Sequence, residues 1–229
     1  MANRFGYDIV HLPVNPVARR QLDLLDQYGV DMIFDVGANT GQFARRMREW
    51  GYQGHIVSFE PLPDAFRELE RSAAGDDRWS AVNYALGAKE GEEMLNISEN
   101  SYSSSILSMT DAHLQSAPGS GYTGRKEAII VKTLDSVIDQ YYEKGNTLFV
   151  KIDTQGYERQ VHSGSMGSME RIAGFQMELS LVPLYEGETL MAEMIELLKG
   201  YGYTLKLMEA GHADYATGEI LQVEGYFYR

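Results

Sequence analysis

The feature that most constrains this chain is the passage Met32-Ile33-Phe34-Asp35-Val36 running directly into Gly37-Ala38-Asn39-Thr40-Gly41. A short apolar strand that meets two glycines four residues apart, with a helix directly after them, fits an open α/β sheet. The glycines let the backbone turn sharply and bring main-chain N–H groups to a helix start. The helix that follows places Phe43, Met47 and Trp50 on one face and ends at Gly51. Strand and helix then alternate. His55 to Glu60 reads as a strand, and Pro61 and Pro63 lead into a helix through Phe66 and Leu69. Trp79 to Leu86 and Glu92 to Ile97 read as strands, as does Lys126 to Leu134, with a helix over Asp135 to Tyr142. Thr147 to Asp153 and Gly174 to Ser180 are near-continuous apolar strands. Leu190, Met191, Met194, Ile195, Leu197 and Leu198 predict an amphipathic helix stopped by Gly200. Tyr203 to Met208 and Ile220 to Tyr228 predict a terminal antiparallel pair. Such alternation predicts a mostly parallel sheet with helices on both faces.

No linker or repeat interrupts the pattern, so the 229 residues predict one domain. Its first 30 residues form an N-terminal helical extension, with a helix over Asn15 to Tyr28 capped by Asn15 and opened by Pro16. Residues 99–124 break the rhythm with Ser, Gly and Tyr, and read as a surface loop or as a lid over a site. Composition narrows the function. Twenty Lys and Arg against 33 Asp and Glu give a net charge of −13, which disfavours a nucleic-acid or anionic-membrane partner. There is no cysteine, hence no disulfide and no thiol nucleophile. Met1 to His11 has no apolar core of a signal peptide, and no stretch reaches the ~20 apolar residues of a membrane span, so a cytoplasmic protein is expected.

The glycine turn discriminates among cofactors. A dinucleotide fingerprint requires glycines where Asn39 and Gln42 stand, and a phosphate-binding P-loop fails at Gln42. Asp35 places a carboxylate at the strand end, which suits the ammonium and sulfonium of S-adenosylmethionine better than a pyrophosphate. Glu60 closes the next strand 19 residues after Gly41, where an acid can accept both ribose hydroxyls.

Three ordered motifs carry a resemblance: Phe34-Asp35-Val36-Gly37-Ala38-Asn39-Thr40-Gly41, Phe59-Glu60-Pro61, and Lys151-Ile152-Asp153-Thr154-Gln155-Gly156-Tyr157-Glu158. With Glu178-Leu179-Ser180 and Leu221-Gln222-Val223-Glu224-Gly225-Tyr226-Phe227, they are similar to the FkbM-type S-adenosylmethionine-dependent methyltransferases. The resemblance implies a class I methyltransferase fold of the Rossmann-like kind, with a seven-stranded, mostly parallel sheet and an antiparallel terminal strand. It also implies methyl transfer to a hydroxyl of a small polar acceptor, a sugar, glycan or secondary metabolite. By the same carry-over Asp35, Gly37, Ala38, Asn39 and Gly41 cradle the methionine end of the donor. Glu60 with Pro61 holds the ribose, and Asn83, Ala85 and Leu86 lie by the adenine.

The acceptor side is read from the later strands. Asp153, at a strand end, is a candidate base or electrostatic orienter, or simply a helix cap. Lys151 and Glu178 are charges inside apolar runs, and each demands a partner; a Lys151–Glu178 ion pair in or under the acceptor pocket is the simplest expectation. Ser103, Ser104, Ser105 and Tyr157 are the candidate acceptor contacts. Glu158 reads as a first-turn acid that complements the helix dipole, and His113 is the one histidine to test as a base. The five histidines lack metal-site spacing, and a Mg²⁺ site at Asp153 is open but not singled out. A nicotinamide-dinucleotide oxidoreductase on a related fold, and a ligand-binding protein that kept the fold without the chemistry, are the alternatives. Sequence leaves a homo-oligomer open.

Overall fold

The computed structural model describes residues 16–100, 102–214 and 216–229. The Asn15 cap and the reading of Met1 to His11 lie outside these residues. The chain runs α1 (Pro16–Gln27), β1 (Met32–Val36), α2 (Gln42–Glu49), β2 (His55–Phe59), α3 (Pro63–Ala73), β3 (Trp79–Val82), β4 (Ala85–Leu86) and β5 (Gly91–Ser98). It continues through α4 (Asp111–Ser116), β6 (Tyr122–Lys132), α5 (Leu134–Val137), β7 (Leu148–Ile152), α6 (Glu158–Ser163), β8 (Ile172–Ser180), α7 (Met191–Gly200), β9 (Thr204–Ala210) and β10 (Gln222–Tyr228). Seven strands form the main sheet in the order β3-β2-β1-β7-β8-β10-β9. β10 is inserted antiparallel between β8 and β9, and the other neighbouring pairs are parallel. The class I methyltransferase arrangement expected from the sequence is present.

The two-residue period of a strand sorts the core. On β1, Met32, Phe34 and Val36 join one apolar cluster; on β7, Leu148, Val150 and Ile152 do the same. That face is covered by Leu134 and Val137 of α5, Val161 of α6, and Met194 and Leu198 of α7. Ile33 and Phe149 face the other way and are covered by Leu24 and Leu25 of α1, by α2 and by α3. The N-terminal helix is therefore part of the second core layer, and Gln21 is buried there against Tyr226 and Glu209. Asp35 and Lys151 follow the same alternation onto this second face, opposite each other in the β1–β7 register.

One expectation is corrected. Trp79 to Leu86 is two strands rather than one. β3 extends the main sheet beside β2, whereas β4 pairs with β6 in a separate three-stranded sheet, β4-β6-β5. The break falls at Asn83, whose side-chain amide donates to the carbonyls of Glu60 and Pro61 and holds the chain at that turn. The segment 99–124 contains α4 and the start of β6 and is stitched down. Asn96 Nδ2 donates to the carbonyls of Ser105, Ile106 and Leu107 at 3.0–3.3 Å. The Tyr122 hydroxyl donates to Leu107 O at 2.6 Å.

Candidate active site

The carboxyl ends of β1, β2 and β7 open into a cleft that the small sheet roofs. Leu62, Leu86, Leu95, Ile106 and Ile129 form its apolar wall, and Gly37, Asn39, Glu60, Asp153 and Gln155 supply the polar groups. Open α/β sheets bind ligands at this end of the strands because the loops diverge there and leave a crevice.

Glu60 sits at the end of β2 with 5% of its surface exposed. Its Oε1 accepts from Leu62 N–H and its Oε2 from Asn39 N–H, both at 2.8 Å. Burial raises its pKa, the two N–H groups and Lys151 oppose that rise, and Asp35 adds to it; the result is about 7. Each carboxylate oxygen keeps a lone pair for a further donor, as ribose hydroxyls would require. Asn39, at φ 48, is a non-glycine residue in the left-handed region, so its N–H can point back at Glu60.

The glycines serve the protein before any ligand. A Cβ on Gly37 would lie 1.9 Å from the Asp153 carbonyl oxygen, so this glycine lets the ends of β1 and β7 meet. A Cβ on Gly41 would lie 2.8 Å from the Trp79 ring. Gly37 lines the cleft; Gly41 and Ala38 do not, and Ala38 is packed in the second core layer. Pro61, Ala85 and Leu86 line it, while Asn83 stands outside it as the staple described above.

Asp35 does not reach the cleft either. It is fully buried, with Oδ1 3.0 Å from Lys151 Nζ and Oδ2 accepting from Ser58 Oγ, which in turn accepts from Trp79 Nε1. Lys151 also donates to Gly37 O at 3.1 Å and lies 3.5 Å from Asp153 Oδ2. Burial pulls this ammonium down, but Asp35 and Asp153 outweigh it and hold its pKa above the ordinary lysine value. It is therefore a fixed cation, not a base.

The expected Lys151–Glu178 ion pair does not form. Register puts Gln176 opposite Lys151 and Met177 opposite Ile152, so Glu178 is one pleat further along, level with Asp153. Two residues of strand are about 6.6 Å, more than the difference between a paired and an unpaired charge. Glu178 Oε2 accepts instead from Gln155 Nε2 at 2.9 Å, and the same nitrogen donates to Asp153 Oδ1 at 2.8 Å. Burial, then Asp153, Glu224 and Glu158, push Glu178 well above the ordinary carboxylate range, with Lys151 opposing.

Asp153 lines the cleft with about a third of its side chain exposed (35%). It caps no helix N–H, and the loop before α6 is tied instead by Glu158, whose Oε1 accepts from Thr154 N–H and Oγ1 and from Gly156 N–H. Burial raises Glu158 to about 7. Of the serines only Ser104 lines the cleft, beside Tyr102 and Tyr157. Ser103 and Ser105 are buried, the latter donating to Gln155 O at 2.7 Å. His113 is buried away from the cleft, with its pKa lowered to about 4 by desolvation and by His212, which removes the reason to test it as a base. Sequence reasoning missed Gln155, Tyr102 and Tyr185. Gln155 was inside a quoted motif, but nothing local marks Tyr185, which enters from the turn after β8. Among the described residues, no group of three or more His, Asp or Glu has the arrangement to hold a metal ion, and no helix is long and apolar enough to cross a membrane.

Comparison with known proteins accords with this geometry. The "Methyltransferase FkbM domain" family matches residues 35–205. No curated protein matches the chain by sequence. Among solved structures, the METTL16 methyltransferase domain superposes with a TM-score of 0.51 at 8% identity, over 93% of this chain and 67% of its own. An rRNA methylase from Streptococcus thermophilus gives 0.47 at 7% identity over 94% and 98%. A precorrin-6y C5,15-methyltransferase from Geobacter metallireducens gives 0.45 at 10% over 98% and 94%. Such low identities speak to the fold and leave the acceptor open. The family match replaces the nicotinamide-dinucleotide reading: the chain belongs to the FkbM methyltransferase domain family and is an S-adenosylmethionine-dependent methyltransferase.

Proposed function

We propose that the protein methylates a hydroxyl oxygen of a small polar acceptor, a sugar or a secondary metabolite. The observation that carries this reading is the placement of Asp153: a partly exposed carboxylate on the cleft wall, held at one oxygen by Gln155 and approached at the other by Lys151. A hydroxyl acceptor must lose a proton as its oxygen takes the methyl group, and a fixed carboxylate beside it is the group to receive that proton.

The chain's own residues fit the donor. Glu60 would accept the ribose hydroxyls, Leu86 and Ile129 would flank the adenine, and the Gly37–Asn39 turn would hold the methionine end. When bound, the donor supplies a sulfonium methyl whose C–S electron pair returns to sulfur as the new C–O bond forms. Asp35 does not touch the donor in this scheme; through Lys151 it fixes the floor on which Asp153 stands. The cleft excludes water with its apolar wall, and Tyr102, Ser104 and Tyr157 at its rim are the groups that would meet the acceptor. With a net charge of −13, a phosphate backbone is a poor acceptor. The likeness to an rRNA methylase does not argue otherwise at 7% identity.

The test is Asp153→Asn, assayed with labelled donor against a panel of sugars and small hydroxylated metabolites. Turnover should fall by about 10²–10⁴ while donor affinity, read by calorimetry, stays within about twofold. Undiminished turnover excludes Asp153 as the base. Failure of the wild type to methylate any acceptor in the panel overturns the hydroxyl-acceptor reading.

A further inference from the structure

We propose that Gln155 is a positioning residue for the transfer, its amide aiming the Asp153 carboxylate at the acceptor and joining it to Glu178 as a dyad. The inference rests on the oxygen-methylation reading for its purpose, but its geometry is independent of it. Both ends of the Gln155 side-chain amide and its backbone carbonyl are engaged. Nε2 donates to both Asp153 Oδ1 and Glu178 Oε2, at 2.8 and 2.9 Å. Oε1 accepts from the Tyr185 hydroxyl at 2.7 Å, and the backbone carbonyl accepts from Ser105 Oγ at 2.7 Å.

The two acids set which way the amide points, since a flipped amide would turn its oxygen against both of them. Oε1 then accepts from the Tyr185 hydroxyl, which also lies 3.5 Å from Ser103 O. Tyr185 itself is fully buried and closely packed: its Cβ and ring lie where Gly156 lacks a Cβ, 2.8 and 3.0 Å from the position such an atom would take. Gln155 is moreover one of two non-glycine residues among those described with φ in the left-handed region, at 56°. An ordinary L-residue adopts that conformation only at an energetic cost. Ser105, on the segment before α4, is hydrogen-bonded across to it. A strained backbone whose side chain meets two acids at a cleft marks a functional constraint.

The physical consequence is division of labour. Two carboxylates on one NH₂ group repel, so their protons leave in separate steps that belong to the pair. The groups that face them are Lys151 from β7, Glu158 from α6, Tyr185 from the turn after β8 and Glu224 from β10, with Asp35, Glu188 and Glu209 behind Lys151, Glu158 and Glu224 in turn. Of these only Lys151 is a cation, and it is nearer Asp153. Burial and the neighbouring acids push Glu178 toward its protonated form, and Gln155 holds Asp153 at the cleft wall.

Carbon-13 carboxylate NMR of the full chain across pH reads this directly, with Asp153→Asn and Glu178→Gln assigning the resonances. Wild type should show two separated transitions for Asp153 and Glu178. In Gln155→Met, which keeps the length and loses the donor, the Asp153 transition should move upward by about tenfold or more in proton affinity. Turnover should fall with the donor KM unchanged. Gln155→Glu can donate only while protonated, so its turnover should decline as pH rises where wild type's does not. If Gln155→Met does not fold, Tyr185→Phe, which removes the hydrogen bond that anchors Oε1, should show the same shift at smaller size. Titration curves superimposable on wild type in the folded variant overturn the proposal. Because the titration needs no acceptor, it fails or succeeds apart from the methylation screen.

Discussion

Removing the Lys151 ammonium should destabilise the fold in a pH-dependent way whose size the structure sets. Asp35 is fully buried, and its compensation is Lys151 at 3.0 Å together with one hydrogen bond from Ser58. In Lys151→Met the methylene stem is replaced by a side chain of similar length, so packing is nearly conserved and the loss is electrostatic. Breaking a buried pair from one side costs about 3–5 kcal/mol. A second route caps the penalty, since the stranded acid can take up a proton instead. Doing so costs about 1.4 kcal/mol per pH unit above an ordinary carboxylate value of about 3.9, hence about 4 kcal/mol at pH 7 and about 1.5 at pH 5. The sign follows: the native variant holds a proton that the unfolded chain has released, so the deficit grows as pH rises from 4 to 7. Urea unfolding with linear extrapolation at pH 5, 6 and 7 measures it. At pH 7 the thermal midpoint should drop by roughly 8–16 °C. The double variant Lys151→Met/Asp35→Asn should recover most of the loss, because no buried charge is left uncompensated. A single variant within about 1 kcal/mol of wild type at pH 7, or a deficit that does not change with pH, refutes the reasoning.

Two further outcomes follow from the site and the core. Burial holds Glu60 at about 7, and its ionised form accepts both ribose hydroxyls more strongly than the protonated acid, so donor affinity should weaken as pH falls through 7. By calorimetry the loss from pH 8 to pH 6 should be roughly tenfold and should vanish in Glu60→Gln; a wild-type profile no steeper than that variant's removes Glu60 from the ribose. Leu24→Ala should cost about 2–5 kcal/mol by urea unfolding, since Leu24 is 1% exposed in the second core layer. A cost under about 0.5 kcal/mol would make α1 the dispensable extension that its position in the sequence implies.

Much of this protein was legible from residue order because the signals are local. The run from Met32 to Gly41 specified a strand, a turn and a helix through burial periodicity and glycine sterics, and both act within a few residues. The motifs around Asp35, Glu60 and Asp153 pointed to a methyltransferase, and the fold and the family both agree. What the sequence left undecided was pairing, which depends on register between strands far apart in the chain. Lys151 and Glu178 each demanded a partner, and sequence joined them to each other. The parallel β1–β7 register instead set Lys151 against Asp35, and the β7–β8 register carried Glu178 a pleat beyond, into reach of Gln155. Trp79 to Leu86 likewise reads as one strand by its period, and only the hold of Asn83 on Glu60 and Pro61 divides it between two sheets. Local physics determined which residues are strands, helices and turns. Which charges neutralise one another, and which acid is left facing the cleft, was decided only when distant strands came into register, since an ion pair depends on a few ångströms that no single segment specifies.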